Sequence, residues 1–215
     1  MNTMLHRAPV RGLAALRRLS ERRPPDERCE LCSARVAETH QHLVDPERRR
    51  LLCACEACAI LFAHAGTATR YRRVPRDIRQ LAGFEIDDVL WNSLAIPIGL
   101  AFCFRSSVSH TVLAVYPSPA GPTETAVEEE DWREVAALHS ALGTLTEDVE
   151  ALLVNRVKGA RDYYIVPIDE CYKLAAIVRR HWSGFSGGDE LWEQIRLFFE
   201  GLQERSRTER NALDA

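Results

Sequence analysis

Five cysteines lie close together near the start of the chain, and their spacing is typical of a metal site. Cys29 and Cys32 form a pair in the segment CELC, and Cys53, Cys55 and Cys58 follow in CACEAC. A Cys-x-x-Cys turn lets two thiolates bind one metal ion, and two such pairs complete the tetrahedron that Zn²⁺ adopts in structural sites. The separation of Cys32 from Cys55 is slightly longer than the usual spacing of about 15–20 residues. An intervening hairpin accommodates that difference.

The spacing favours one set of four ligands for Zn²⁺: Cys29, Cys32, Cys55 and Cys58. Cys53 could replace Cys55 as a ligand or remain a free thiol at the rim of the site. The alternation of a strand places residues 53 and 55 on the same side, so both could approach the metal. Four thiolates also suit a mononuclear iron site or an iron–sulfur cluster. A closed site with four thiolates leaves no coordination position for substrate or water, so we expect a structural role for it.

Two histidines precede the second cysteine group. His40 and His42 alternate with Gln41, so both could donate hydrogen bonds to the metal ligands or replace one of them. Histidines in such a module also resemble those of the HNH nucleases, in which one histidine activates water beside a catalytic metal. His64 on the following predicted helix would fit that weaker alternative. The central asparagine of the HNH motif is missing, however, and the structural role is favoured.

The remaining cysteines and the acidic residues near them offer weaker candidates. Cys103 and Cys171 lie in apolar surroundings and are predicted to pack in the core. Asp169 and Glu170 open a predicted helix, where we expect Asp169 to act as the cap. No catalytic set emerges from these residues, so the sequence favours a protein that is not an enzyme.

The cysteine module that must position the metal site spans residues 28–66. Its segment HQHLVDPERRRLL predicts a strand, a turn at Asp45-Pro46 and a second strand that leads into Cys53. The following segment ACAILFAHAG predicts a short helix that ends near Gly66. A cysteine turn, a hairpin and a second cysteine pair at a helix N-terminus together predict a fold similar to a treble clef or zinc ribbon.

The rest of the chain predicts an α+β protein. A basic flexible arm (1–27) precedes the module, and a helical connector (67–95), with helices over 77–81 and 87–94, follows it. Residues 96–205 form the predicted α+β domain, with C-terminal helices and an antiparallel sheet of about four strands, over 98–105, 111–116, 149–156 and 163–167. A helix is expected over 128–142, and residues 206–215 are expected to be a disordered tail.

Composition narrows the class of protein further. The net charge is -3 and the charged content is 27%, which argues against nucleic acid as a partner. No apolar run reaches the roughly 18 residues that a membrane span needs. Arginines interrupt the apolar residues of the N-terminus, so it does not fit a signal peptide. We therefore expect a cytoplasmic protein, and a reducing compartment favours metal-binding cysteines over disulfides.

The order of several motifs resembles an uncharacterised bacterial family, a domain of unknown function that is often encoded beside nickel–iron hydrogenase genes. The resemblance spans about residues 28–205 and is carried by these segments: CELC, HLVDPERRRLLCACEACAILF, IPIGLAFCF, YPSPAGPTE, DVEALLVNR, VPIDECYKLAAIVRRHW and SGGDELWEQIRLFF. It implies an accessory protein of a hydrogenase system, whose partners would be hydrogenase subunits or maturation factors. It implies no catalytic residues.

The sequence therefore supports three hypotheses of function. The first is a non-enzymatic accessory or assembly factor with a structural zinc site. The second, prompted by the fifth cysteine, is an electron-transfer protein that holds iron or an iron–sulfur cluster. The third and weakest is the HNH-like metal-dependent nuclease.

Overall fold

The computed structural model of the protein describes residues 27–62, 70–118, 121–184 and 187–211. Within these ranges the fold is α+β, as predicted, with a small sheet of three strands and a large sheet of seven. The predicted arm, apart from Glu27, lies outside the described residues, as do His64, Gly66 and the last four residues.

The small sheet contains the predicted hairpin. Strand β1 (Gln41–Asp45) pairs antiparallel with β2 (Arg50–Ala54), and β3 (Arg72–Arg73) lines the other edge of β1. The carboxylate of Asp45 accepts a hydrogen bond from the backbone N–H of Arg48, which closes the turn. Helix α1 (Glu56–Phe62) begins two residues after β2. The predicted strand–turn–strand–helix order is therefore confirmed.

The large sheet has more strands than predicted. The four predicted strands are present as β5 (Leu100–Arg105), β6 (Val112–Ser118), β8 (Glu150–Asn155) and β9 (Asp162–Pro167). Three further strands extend it, β4 (Arg79–Leu81), β7 (Gly121–Val127) and β10 (Arg207–Glu209), in the order β10-β4-β9-β8-β5-β6-β7. The expectation of about four strands was wrong because β4 and β10 are too short to show alternation. Strand β7 begins in a segment rich in proline and glycine that predicts a loop.

Strands β4 and β10 replace two other predicted features. A helix was expected over 77–81 and a disordered tail over 206–215, but Arg207–Glu209 pairs parallel with Arg79–Leu81 at the edge of the large sheet. The second connector helix is present as α2 (Asp88–Ser93), which begins at the cap Asp87. The connector is thus part strand and part helix within the described residues.

Both faces of the large sheet are covered by helices. Helices α4 (Ile168–His181) and α5 (Gly188–Arg205) cover one face. The other face is covered by α2, by α3 (Glu129–Ala137) and by a 3₁₀ helix (Ser140–Thr144), so the helix expected over 128–142 is divided in two. Successive residues of the central strands enter opposite cores, such as Leu152 and Leu153. This explains why the central strands read as continuous apolar runs.

The small sheet packs against the large one through the hairpin. Val44 is buried in the core that α4 and α5 share, and Leu51 packs against that core. Arg72 pairs with the buried carboxylate of Asp148 at 2.8 Å, and Arg49 pairs with Glu124. The hairpin therefore has one face toward the cysteine turn and the other toward the large domain.

Candidate metal centre

The first cysteine pair lies on a tight turn. The backbone N–H of Cys29 donates to the carbonyl of Ala34 at 2.8 Å, and the N–H of Ser33 donates to the carbonyl of Cys29 at 2.8 Å. Ser33 has a φ of 62°, in the left-handed region that reverses the chain. These hydrogen bonds form a tight turn that brings the side chains of Cys29 and Cys32 to the same side of the segment.

The second pair lies where β2 gives way to α1. The N–H of Ala59 donates to the carbonyl of Cys55 at 2.9 Å, so Cys55 is the last residue before the helix and Cys58 lies one turn further. The N–H of Glu30 donates to the carbonyl of Cys53 at 2.9 Å, which ties the cysteine turn to the end of β2. Backbone bonds within each segment, together with this bond between them, thus place the two pairs next to each other.

The structure brings four thiols together. The sulfur atoms of Cys29, Cys32, Cys55 and Cys58 all lie within 4.8 Å of one another. Four thiolates at about 2.3 Å from a zinc ion, at tetrahedral angles, would be about 3.8 Å apart. The Sγ atoms of Cys32 and Cys55 are 3.7 Å apart, far longer than a disulfide bond. The four residues could therefore hold a metal ion.

The environment of this cluster favours a thiolate at one position. Burial would raise the pKa of Cys29, but backbone N–H groups of Cys55, Leu31 and Cys32 donate hydrogen bonds and lower that pKa to about 6. Burial and the neighbouring cysteine side chains raise the pKa of Cys58 above its ordinary value. A metal ion that binds the four sulfurs must therefore displace protons, since the thiolate is the ligand.

Cys53 does not join these four thiols. It pairs in register with His42 across the hairpin, and its sulfur lies within 4.8 Å of ring nitrogens of His40 and His42. The expected alternation fails between residues 53 and 55 because β2 ends at Ala54, so Cys55 no longer follows the strand. Cys53 and the two histidines thus form a second cluster on the opposite face of the hairpin from Ala54.

The partner of His42 lies far away in the sequence. Its Nδ1 is 2.8 Å from Oδ2 of Asp169, in the first turn of α4. Asp169 was expected to cap that helix, but the cap position is Pro167, and the Asp169 side chain extends to the hairpin instead. A hydrogen bond from His42 and the charge of Lys173 outweigh burial and lower the pKa of Asp169. The sequence predicted an acidic residue at the start of this helix, but it gave no indication that Asp169 contacts His42.

The two remaining cysteines are core residues, as predicted. Cys103 and Cys171 are 1% and 0% exposed, on opposite faces of the large sheet. Burial raises the pKa of Cys103 to about 12, and the pKa of Cys171 is also raised well above its ordinary value. Both thiols therefore remain protonated at neutral pH. The nuclease hypothesis stays a prediction, since His64 lies outside the described residues.

Comparison with known proteins identifies the chain by family. The chain belongs to a family of unknown function (DUF5947), whose model matches residues 28–206. No curated protein and no solved structure matches it. In the described parts of the chain, none of the helices has the length and apolar character to cross a membrane.

Proposed function

We propose that the protein is a metal-binding accessory protein in which Cys29, Cys32, Cys55 and Cys58 hold one Zn²⁺ ion as a structural cross-link. The observation that carries the proposal is the convergence of four thiols, from two separate chain segments, within 4.8 Å of one another. A zinc ion with four thiolate ligands has no open position for a substrate, so its role is to stabilise the module.

The small size of the module's own core supports this role. Among the described residues, this core consists of five buried ones, two of which are proposed ligands: Cys29, Leu43, Ala54, Cys58 and Ala59. Such a core is too small to offset the loss of chain entropy by hydrophobic burial alone. A metal ion supplies the missing stabilisation in many small modules, because the binding free energy becomes folding free energy.

Elemental analysis of anaerobically purified protein tests the zinc site. The double variant Cys32→Ser with Cys58→Ser is expected to contain one zinc ion fewer per chain than the unchanged protein. Cys103→Ala is the matched control, since it removes a thiol that lies in the core of the large sheet and belongs to neither group of metal-ligating side chains. Retention of all bound metal by the double variant would disprove the site.

The partner is proposed from the resemblance in sequence alone. We propose that the accessory role serves a nickel–iron hydrogenase system, with hydrogenase subunits or maturation factors as the protein partners. Tagged full-length protein should then co-purify with those subunits, and deletion of its gene should lower hydrogenase activity. If hydrogenase maturation and activity were unchanged after deletion, the proposed role in a hydrogenase system would be refuted. The proposal of a zinc site would still stand.

A second candidate function, electron transfer, is favoured by the position of Cys32. Its side chain is exposed, so a redox metal in the same four-thiolate set would lie at the surface, where electrons enter and leave. Four thiolates suit mononuclear iron or an iron–sulfur cluster as well as zinc. The colour of anaerobically purified protein separates the two: red or brown protein with iron supports electron transfer, and colourless protein with zinc excludes it.

A further inference from the structure

The second face of the hairpin carries three metal-ligating side chains in one small volume. One ring nitrogen each of His40 and His42, and the sulfur of Cys53, all lie within 4.8 Å of one another. His42 and Cys53 are directly opposite in the antiparallel register, and His40 is two residues before His42. The side chains of His42 and Cys53 therefore share a face of the sheet. His40 lies just before β1, and its ring contacts that of His42 edge-on, with the ring centroids 4.8 Å apart.

Both imidazoles are held so that the same nitrogen remains available. Nδ1 of His40 is 2.8 Å from the carbonyl oxygen of Ala37, and Nδ1 of His42 is 2.8 Å from a carboxylate oxygen of Asp169. Because a carbonyl and a carboxylate can only accept, each Nδ1 carries the proton. An imidazole that carries its proton on Nδ1 has its lone pair on Nε2. Ligating histidines usually show this arrangement, with the second nitrogen bound to a carbonyl or carboxylate.

The available nitrogen of His40 lacks a partner. Its side chain is 8% exposed, and Nε2 is buried with no hydrogen-bond partner among the residues that the structure describes. A buried polar atom without a partner costs about 1–3 kcal/mol. A metal ion bound by Nε2 would remove that cost.

We propose that His40, His42 and Cys53 form a second metal site, which binds a divalent transition-metal ion of the Zn²⁺ class through two imidazole nitrogens and one thiolate. Three protein ligands leave a fourth tetrahedral position for water or a small ligand, as in catalytic zinc sites. Asp169 is a positioning residue, because it orients His42 and makes its free nitrogen a better donor.

An open cavity adjoins this second site. It has a volume of about 560 Å³, and both histidines and Asp169 contribute to its wall, together with Lys173 and Arg205. The first cluster differs, since its four thiols already supply all four corners of a tetrahedron. The second site is therefore the place where a metal-bound ligand could be exchanged.

A competing interpretation treats Cys53, His42 and Asp169 as a nucleophile, a base and an orienting acid. That triad gives no role to His40, whose buried Nε2 would remain without a partner. The metal site uses all three ligating side chains and accounts for the anchoring of both imidazoles. The observations therefore favour metal binding, and the nucleophile becomes an outcome of the test.

Metal content measured on full-length protein dialysed against Zn²⁺ tests the proposal. We expect two zinc ions per chain in the unchanged protein and one in each of the variants Cys53→Ser and His42→Gln. His110→Asn is the matched control, because His110 is exposed and has a φ of 57°, which asparagine tolerates. Circular dichroism confirms that each variant folds. One zinc ion in every folded protein, variants included, would overturn the second site while the four-thiolate site stands.

Two further measurements separate metal binding from the alternatives. Asp169→Asn should weaken zinc binding at the second site by about 10–100-fold and leave the zinc ion of the four-thiolate site in place. Bound Zn²⁺ should protect Cys53 from alkylation by iodoacetamide, as read by peptide mass spectrometry. Equal alkylation of Cys53 with and without Zn²⁺ would overturn the proposal and favour the nucleophile. Absence of zinc from the unchanged protein would overturn both sites.

Discussion

Cysteine side chains lie on both faces of the β1–β2 hairpin, but their neighbours differ between the two faces. On the face toward the cysteine turn, Leu43 and Ala54 pack beside Cys29 and Cys58, and four thiols converge. On the opposite face, Cys53 meets two imidazoles, and the neighbouring helix α4 supplies a carboxylate. A closed set of soft ligands suits a cross-link, and a mixed, incomplete set suits an exchangeable metal. One strand pair can thus build two kinds of site, since its side chains alternate.

Removal of metal should have the largest effect and should loosen the hairpin before the large sheet. Structural zinc contributes about 10–16 kcal/mol in small zinc-binding peptides at pH 7. After chelation, we expect β1 and β2 to lose amide-exchange protection while the central strands β5, β8 and β9 keep theirs. Unchanged protection of the hairpin, after elemental analysis shows that the metal is gone, would contradict the structural cross-link.

Truncation of two neighbouring residues, one on each face of the hairpin, should lower the stability of different parts of the protein. Leu43 is 0% exposed and packs beside Cys29 and Cys58, so Leu43→Ala should cost about 2–5 kcal/mol. Val44 packs in the large domain's core, and Val44→Ala removes two methyl groups worth about 1.5 kcal/mol. Hydrogen exchange should show the first loss in the cysteine module and the second at the contact with α4 and α5. If both variants showed the same pattern of hydrogen exchange, the assignment of Leu43 and Val44 to different cores would be contradicted.

A change in the turn should weaken both faces alike. Asp45 is buried and accepts two hydrogen bonds from Arg70, at 2.9 and 2.6 Å. Burial opposes ionisation, but those bonds and the N–H of Arg48 lower the pKa of Asp45. Because the folded pKa is depressed, this stabilisation is present above the unfolded value of about 3.9 and disappears as the pH falls through the folded pKa.

The variant Asp45→Asn should therefore cost about 1–2 kcal/mol at neutral pH, less than a fully buried pair because Arg70 is 43% exposed. Its denaturant unfolding curves should show a smaller loss of stability below pH 4 than those of the unchanged protein. An equal acid loss in both proteins would show that Asp45 does not carry this dependence.

A surface change remote from the hairpin should have the smallest effect. Arg196 on α5 pairs with Glu193 and Glu200, and all three side chains are about half exposed. Solvent screens exposed pairs of this kind, so they contribute little to stability. Arg196→Ala should therefore leave the denaturant midpoint almost unchanged and both proposed metal sites intact. Loss of bound metal in this variant would show that the sites depend on the whole domain.

Local patterns in the amino-acid sequence determined the four-cysteine group, the hairpin and the central strands of this protein. Two Cys-x-x-Cys turns, a proline turn between apolar strands and four continuous apolar runs are each short-range signals. They predicted the four converging thiols, the hairpin and the central strands of the large sheet. Such features depend on neighbours within a few residues, whose spacing the chain states directly.

Only the tertiary structure decided the rest, because the deciding contacts are distant in sequence. The expected alternation placed Cys53 with Cys55, but β2 ends between them, and Cys53 lies with the histidines instead. Asp169 contacts His42, although the two residues are 127 positions apart in the chain. Strand β10, close to the C-terminal end of the described residues, pairs with β4. Strands of three residues and single side-chain contacts leave no periodic signal. Packing of the completed fold, rather than local propensity, determines them.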